Sequence, residues 1–337
     1  MKYKTFLLLS SWFQYLNPLW NTKRGLPMIT IYFAAGQSRW QNYEAPLRTA
    51  LAEAGIIADL SPDCSDPAAV FYIIFAPGGE IEDFTPFSRC KAVLNLWAGV
   101  ERVVANPTLT QPLCRMVDPA LTAGMVEWVL GHTLRHHLGM DRHIINPSRH
   151  WEPTCSPIAA ERPVTVMGLG ALGQACATAL QQVGFPVRGW SRTEKQIPGL
   201  TTHHGTDGLK AALTDAKTVV LLLPKTPATE NILNMETLSF LATGAAILNP
   251  GRGHLIDDLA LLAALDSGAI GHATLDVFRT EPLPQEHPFW SHPRVTVTPH
   301  IAAETRPNSA SRVVVDNIRR GEAGQPFLHL VDRDRGY

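Results

Sequence analysis

The sequence predicts an α/β protein of two doubly wound, parallel-sheet domains, the second inserted within the first. Three observations carry this. A chain of 337 residues, 45% of them hydrophobic, is long enough for two cores at about 150 residues per domain. From residue 28 onward, short apolar runs alternate with longer amphipathic ones. The short runs are continuously apolar, as strands covered on both faces of a parallel sheet must be.

The elements follow in order. Ile29–Phe33 reads as a first strand. Tyr43–Ala54 reads as a helix with Leu47, Ala50, Leu51 and Ala54 at helical spacing, closed by Gly55. Val70–Phe75 and Ala92–Leu96 are strands, ended by Pro77-Gly78-Gly79 and Trp97-Ala98-Gly99. Asp118 is placed to cap, and Pro119 to open, a helix reaching about His136. The rhythm then restarts with strands at Val164–Met167, Val187–Gly189, Thr218–Leu223, Ala245–Leu248, Ala273–Leu275 and Val295–Thr298. Helical runs, among them Gln174–Val183 and Leu259–Asp266, fall between most of these. A last helix, Ala310–Gly321, precedes a tail expected to return to the first domain. The expected division is therefore 28–118 plus 306–337 as one unit and 119–305 as the inserted one.

Residues 1–27 read differently. Lys2 and Lys4 precede the apolar stretch Phe6–Phe13, which is shorter than the roughly 20 residues a bilayer span needs. No small-residue cleavage site follows it. Met28 is the expected functional start, with 1–27 an extension of no catalytic role.

Composition excludes several classes. Lys+Arg (29) balance Asp+Glu (30) and no basic run stands out, so neither nucleic acid nor an anionic membrane is an expected partner. The five cysteines, Cys64, Cys90, Cys114, Cys155 and Cys176, form no C-x-x-C pair and no zinc-ligand spacing. They read as buried free thiols in a reducing compartment, the cytoplasm, and no metal site is expected.

The strongest motif is Gly168-Leu169-Gly170-Ala171-Leu172-Gly173, which follows a strand and enters a helix. The first glycine permits the tight turn, the second lets a pyrophosphate approach the backbone, and the third lets helix and strand pack closely. The amides at the helix start then face the phosphates. This is a Rossmann-type dinucleotide site. In NAD-binding folds an acid about 20 residues on accepts the ribose 2′-hydroxyl. Here the next strand ends Trp190-Ser191-Arg192-Thr193, with Lys195 beyond. A serine stands at the acid's place, followed by a guanidinium suited to a 2′-phosphate. NADPH is the preferred cofactor on this reading, with NADH as the alternative.

The polar residues of the second domain share one address. Gly168, Ser191, Leu223-Pro224-Lys225-Thr226, Asn249-Pro250-Gly251-Arg252-Gly253, Asp276 and Pro299-His300 all lie at or just past the carboxyl end of a strand, where open parallel sheets bind ligands. Arg252 can clamp a carboxylate in two-point fashion. His300 can act as a general acid near neutral pH. Glu281 could hydrogen-bond that imidazole, and a carboxylate beside a histidine favours its protonated form.

These stretches, with Leu275–Leu283 and Thr298–Thr305, resemble the D-isomer-specific 2-hydroxyacid dehydrogenase family. Within it, the Trp190–Thr193 segment and the loop Leu96–Glu101 are most similar to the bacterial NADPH-preferring reductases of glyoxylate and hydroxypyruvate. The resemblance implies a flavodoxin-like substrate domain beside the Rossmann domain. It implies that Arg252 binds the substrate carboxylate and carbonyl, that His300 protonates the carbonyl oxygen, and that Glu281 pairs with His300. It assigns Asp276 to the nicotinamide carboxamide, Ala98 and Gly99 to the carboxylate through their amides, and Phe75 and Trp97 to the pocket wall. The expected reaction is NADPH-dependent reduction of a small 2-oxo acid by a homodimer. Alternatives are a D-lactate or broader 2-oxo acid reductase, and a nucleotide-sensing scaffold without activity.

Overall fold

In the computed structural model, the described residues are 28–79, 81–333 and 335–336. The expected extension 1–27 lies outside them.

The first unit runs β1 (Ile29–Ala34), α1 (Gln37–Glu53), β2 (Ala58–Ser61), β3 (Tyr72–Phe75), β4 (Ala92–Asn95), α2 (Glu101–Val104) and β5 (Leu113–Cys114). Its strands form one parallel sheet in the order β2-β1-β3-β4-β5, a flavodoxin-like order. The core strand β3 is buried along its whole length, which explains its unbroken apolar run. β2 and β5 carry no such run. Both are short edge strands, and a sheet edge does not demand two covered faces.

Helix α3 (Pro119–Leu138) leads out of this unit. The Asp118 carboxylate accepts hydrogen bonds from the amides of Ala120 and Leu121, and Gly139 closes the helix in the left-handed conformation. After α4 (Asp141–Ile144) come β6 (Val164–Met167), α5 (Ala171–Val183), β7 (Val187–Ser191), β8 (Thr201–His204), α6 (Gly205–Leu213), β9 (Thr218–Leu221), α7 (Met235–Leu238), β10 (Ala245–Asn249), α8 (Asp258–Asp266), β11 (Ile270–Leu275) and β12 (Val295–Val297). Their strand order is β12-β11-β10-β9-β6-β7-β8, all parallel, which is the Rossmann order extended by one strand. The all-polar β8 is the third strand that periodicity misses, and it too is an edge.

The chain then returns. Helix α9 (Pro307–Glu322) packs against α1, burying Ala310, Val314, Val315 and Ile318 in the first core. The tail crosses to the first sheet, where Val331 N–H donates to Leu113 O and Arg115 N–H to His329 O. The Arg333 guanidinium donates to the carbonyls of Leu109 and Gln111.

Helix α1 begins at Gln37 rather than Tyr43, because its polar first turns bury only Trp40. All five cysteines are free thiols. Burial pushes the thiols of Cys90, Cys114 and Cys176 up to about 12, leaving them inert at neutral pH. Cys155 is exposed and Cys64 half-buried, so the expectation of buried thiols fails at these two. Among the described residues, no helix is long and apolar enough to cross a membrane.

Candidate active site

The glycine turn forms where β6 meets α5. Gly168 takes a φ of 102°, and a side chain there would collide with the Leu222 carbonyl. A Cβ at Gly173 would collide with the Gly168 carbonyl. These two glycines answer to the protein's own packing. Gly170 does not: a Cβ there meets nothing within 4 Å, and Gly170 caps α5 without any side-chain hydrogen bond. Open space thus lies in front of uncapped amides of Ala171 and Leu172, which is what a pyrophosphate needs. The residues present fit a dinucleotide.

The strand ends around the turn carry the rest. Ser191 is buried and its hydroxyl donates to the Thr193 carbonyl at 2.8 Å, holding the turn that displays the exposed Arg192. Lys195 reaches back to donate to the Leu169 carbonyl at 2.6 Å. That bond brings a second cation to the rim of the glycine turn. Leu223 is buried, and the Pro224 carbonyl accepts from the Thr229 hydroxyl. Buried Asn249 shapes the next loop, its amide donating to the Arg252 carbonyl at 2.9 Å while its oxygen accepts from Gly251 N–H.

The loops after β10, β11 and β12 assemble the reactive groups. His300 is held at φ 56°, with its N–H bonded to the Asp276 carbonyl at 2.8 Å. Its Nδ1 lies 2.8 Å from Glu281 Oε2, while Glu281 Oε1 accepts from Phe278 N–H. Gly253 lets the Arg252 loop press directly on the backbone of Phe278 and Arg279, since a Cβ there would collide with both. The loops bearing Arg252 and Glu281 are therefore docked to each other.

Asp276 follows β11 directly. Its buried carboxylate accepts from the Thr298 hydroxyl at 2.5 Å and from the amides of Ile301 and Ala302 at 2.9 Å each. These bonds fix the turn that carries His300 and leave Oδ2 with further acceptor capacity. The Phe75 side chain is buried and packs edge-on against Phe84 at 5.7 Å.

The first domain supplies the opposite side. Asn95, buried at the end of β4, donates to the carbonyls of Trp97 (2.7 Å) and Gly99 (3.0 Å), shaping the Trp97-Ala98-Gly99 loop. The Trp97 ring is partly exposed, with the Arg39 guanidinium 5.3 Å from its centroid. A Cβ at Gly99 would collide with Arg252 Nη2, so this glycine is what lets the arginine reach the loop. Arg252 Nε lies 2.8 Å from Glu101 Oε1 and Nη2 3.3 Å from Oε2. Burial raises the Glu101 carboxyl, but the Arg252 charge and its hydrogen bonds, helped by the Lys225 backbone, hold it below the ordinary carboxylate range.

Sequence reasoning missed Asn95, Glu101, Arg39 and Thr298. Asn95 alone left a signal, a polar residue ending an apolar strand. The other three gain meaning only through contacts with distant segments.

Away from the strand ends, His136, Asp141 and His272 stand close enough to share an ion. Arg135 donates to the Asp141 carboxylate at 2.7 Å, and that guanidinium already supplies the positive charge. Burial holds His136 down to about 3 and His272 to about 4.

Residues 129–302 match the family of D-isomer specific 2-hydroxyacid dehydrogenase, NAD binding domain. The chain is 41% identical over 257 residues to glyoxylate/hydroxypyruvate reductase A of Salmonella heidelberg, covering 74% of this chain and 82% of the relative. The corresponding enzyme of Yersinia enterocolitica is 42% identical over 255 residues, covering 73% and 82%. Among solved structures, a D-isomer specific 2-hydroxyacid dehydrogenase from Xanthobacter autotrophicus Py2, in complex with NADPH and MES, superposes with a TM-score of 0.83. It is 38% identical and spans 92% of this chain and 99% of its own. The NADPH-dependent glyoxylate/hydroxypyruvate reductase of Sinorhizobium meliloti, in complex with NADP and sulfate, gives 0.78 at 34% identity, with 92% and 99% covered. With the glycine turn, the arginine and the histidine–carboxylate pair gathered at one row of strand ends, the chain belongs to the D-isomer-specific 2-hydroxyacid dehydrogenase family.

Proposed function

We propose that this protein reduces small 2-oxo acids, glyoxylate and hydroxypyruvate foremost, to the 2-hydroxy acids with NADPH. The observation that carries the reading is the hydrogen bond between His300 Nδ1 and Glu281 Oε2 at 2.8 Å, in a loop docked on the one that carries Arg252. Relatives named for these substrates, and one solved with NADPH, support it.

NADPH bound on the glycine turn supplies the hydride. Residues 119–305 hold it, with Arg192 and Lys195 serving its 2′-phosphate. Residues 28–118 and 306–337 present the substrate side, where the Ala98 and Gly99 amides form an anion-binding turn. Arg252 binds the substrate carboxylate and the carbonyl oxygen and meets the charge that develops there. His300, anchored through Nδ1, gives its Nε2 proton to that oxygen, and Glu281 stabilises the imidazolium before transfer. Asp276 keeps the His300 turn in place and is assigned to the nicotinamide carboxamide. Trp97 and Phe75 are assigned to the pocket wall. Closure of the two units excludes water.

We assign the enzyme to the cytoplasm as a homodimer, without nucleic-acid or membrane partners. Free thiols suit a reducing compartment. Exposed Ile144, Ile145, Trp151 and Ile158, just beyond α3, offer an apolar surface for a second copy. The test is a kcat/KM panel of glyoxylate, hydroxypyruvate and pyruvate with each reduced cofactor, followed by loss of nicotinamide absorbance. Highest values for glyoxylate or hydroxypyruvate with NADPH are expected. No turnover with any small 2-oxo acid overturns the proposal in favour of a nucleotide-sensing scaffold.

A further inference from the structure

We infer that Glu101 is a positioning residue, one that aims the Arg252 guanidinium at the substrate and does so only when the two domains are closed on each other. The inference rests on the reading of Arg252 as the carboxylate and carbonyl ligand.

A guanidinium has five N–H donors in a fixed plane. In this structure Nε donates to Glu101 Oε1 at 2.8 Å, Nη2 to Glu101 Oε2 at 3.3 Å, and Nη1 to the Gly251 carbonyl at 2.6 Å. Those three bonds leave one N–H on each of Nη1 and Nη2. The end-on edge of the fork, between Nη1 and Nη2, faces away from Glu101 and is the geometry that grips a carboxylate in two-point fashion. Glu101 thus takes the side edge and leaves the productive one.

The position of Glu101 makes this conditional. It lies on α2, in the first unit, 151 residues from Arg252 in the second. The backbone of Lys225, also in the second unit, adds to the interactions at its carboxylate. Opening the cleft separates Glu101 from both partners and leaves the guanidinium held by the Gly251 carbonyl alone. Both side chains are about 30% exposed, 31% for Arg252 and 27% for Glu101, so the pair is sheltered enough to orient and open enough to break. Gly99 is part of the same device, since any side chain there would displace Nη2.

The experiment compares Glu101→Gln, Glu101→Ala and Glu101→Asp with the unaltered enzyme. It measures kcat and KM for glyoxylate, and the affinity of the NADPH-loaded protein for oxamate, a carboxylate that is not reduced. Loss of a charge-assisted two-point contact predicts that Glu101→Ala raises KM and weakens oxamate about 10- to 100-fold. Glu101→Gln should fall between, Glu101→Asp should recover part of the loss, and NADPH affinity should stay within about twofold. In an Arg252→Ala background, Glu101→Gln should have no further effect on oxamate binding.

Wild-type KM and oxamate affinity in both Gln and Ala variants overturn the inference, as does a loss confined to thermal stability or to NADPH affinity. If the unaltered enzyme reduces no 2-oxo acid yet binds oxamate in a Glu101-dependent way, the reductase reading falls and the positioning role stands. If it binds no oxamate, the inference falls too.

Discussion

Two acid–base pairs stand at the cleft, and they differ in almost everything but distance. His300 and Glu281 are 19 residues apart on one domain, and the histidine side chain is 55% exposed. Arg252 and Glu101 are 151 residues apart on two domains and more sheltered. The first pair is built by local loops clipped to each other through Gly253 and Asp276. It exists whether or not the domains meet. The second exists only when they do. The comparison teaches that proton delivery is preassembled here, whereas substrate gripping is contingent on closure.

The largest expected effect comes from breaking the contingent pair at its centre. Arg252→Ala removes both the grip and the charge that meets the developing oxyanion, and it leaves Glu101 as a half-buried, unpaired carboxylate. Its kcat/KM for glyoxylate should fall on the order of 10^4-fold. Steady-state kinetics checks this, and a loss below tenfold would remove Arg252 from the site.

The preassembled pair should respond differently. His300→Gln removes the proton donor but little of the grip, so kcat should drop about 10^3-fold while KM changes little. A KM effect as large as the kcat effect would mean that the two pairs are not functionally separate. Glu281→Gln keeps an acceptor for Nδ1 but loses the charge, and kcat should fall about 10- to 100-fold. Oxamate affinity, by contrast, should hold.

A smaller effect tests the rim of the glycine turn, which, like the His300 pair, lies within one domain. Lys195→Ala should raise KM for NADPH about tenfold, the value of one charge-assisted hydrogen bond, and leave KM for NADH unchanged. Equal loss with both cofactors would give Lys195 a role in holding Leu169 rather than in reading a phosphate.

The smallest effect concerns the joint between α3 and β11, another contact between distant segments. Burial, then the charges of neighbouring His272 and Arg135, hold His136 down to about 3. Burial followed by Arg135 holds His272 to about 4. Both are neutral when folded and titrate near 6.5 when unfolded, so the unfolded chain binds more protons as pH falls. Their contribution to stability is complete above about pH 6.5 and is lost progressively toward the folded values. The melting temperature should therefore fall between pH 7 and 5, and less steeply in His272→Gln. Parallel curves would show that these imidazoles do not set the acid slope.

The legibility of this molecule follows the same divide. Core strands such as β3 and β6 were plain because burial on both faces demands an unbroken apolar run. The edges β2, β5 and β8 were not, because one open side lifts that demand. Arg252 and His300 stand out because they lie just past strands, where a parallel sheet places its ligands whatever the surrounding detail. Asp276 stands out for the same reason, and its carboxylate also binds Thr298, Ile301 and Ala302. Sequence marks where a side chain starts and not what it touches.

Taken alone, the amino-acid order determined which segments are core strands, where the glycine turn falls and which loops hold chemistry. Those properties arise from backbone sterics and from burial within a few residues. Only the tertiary structure decided that Glu101 meets Arg252, that Gly99 makes room for it and that Asn95 shapes the loop between them. Such contacts depend on how two independently wound sheets dock. Docking is set by the sum of many surfaces, and no local pattern in the chain records it.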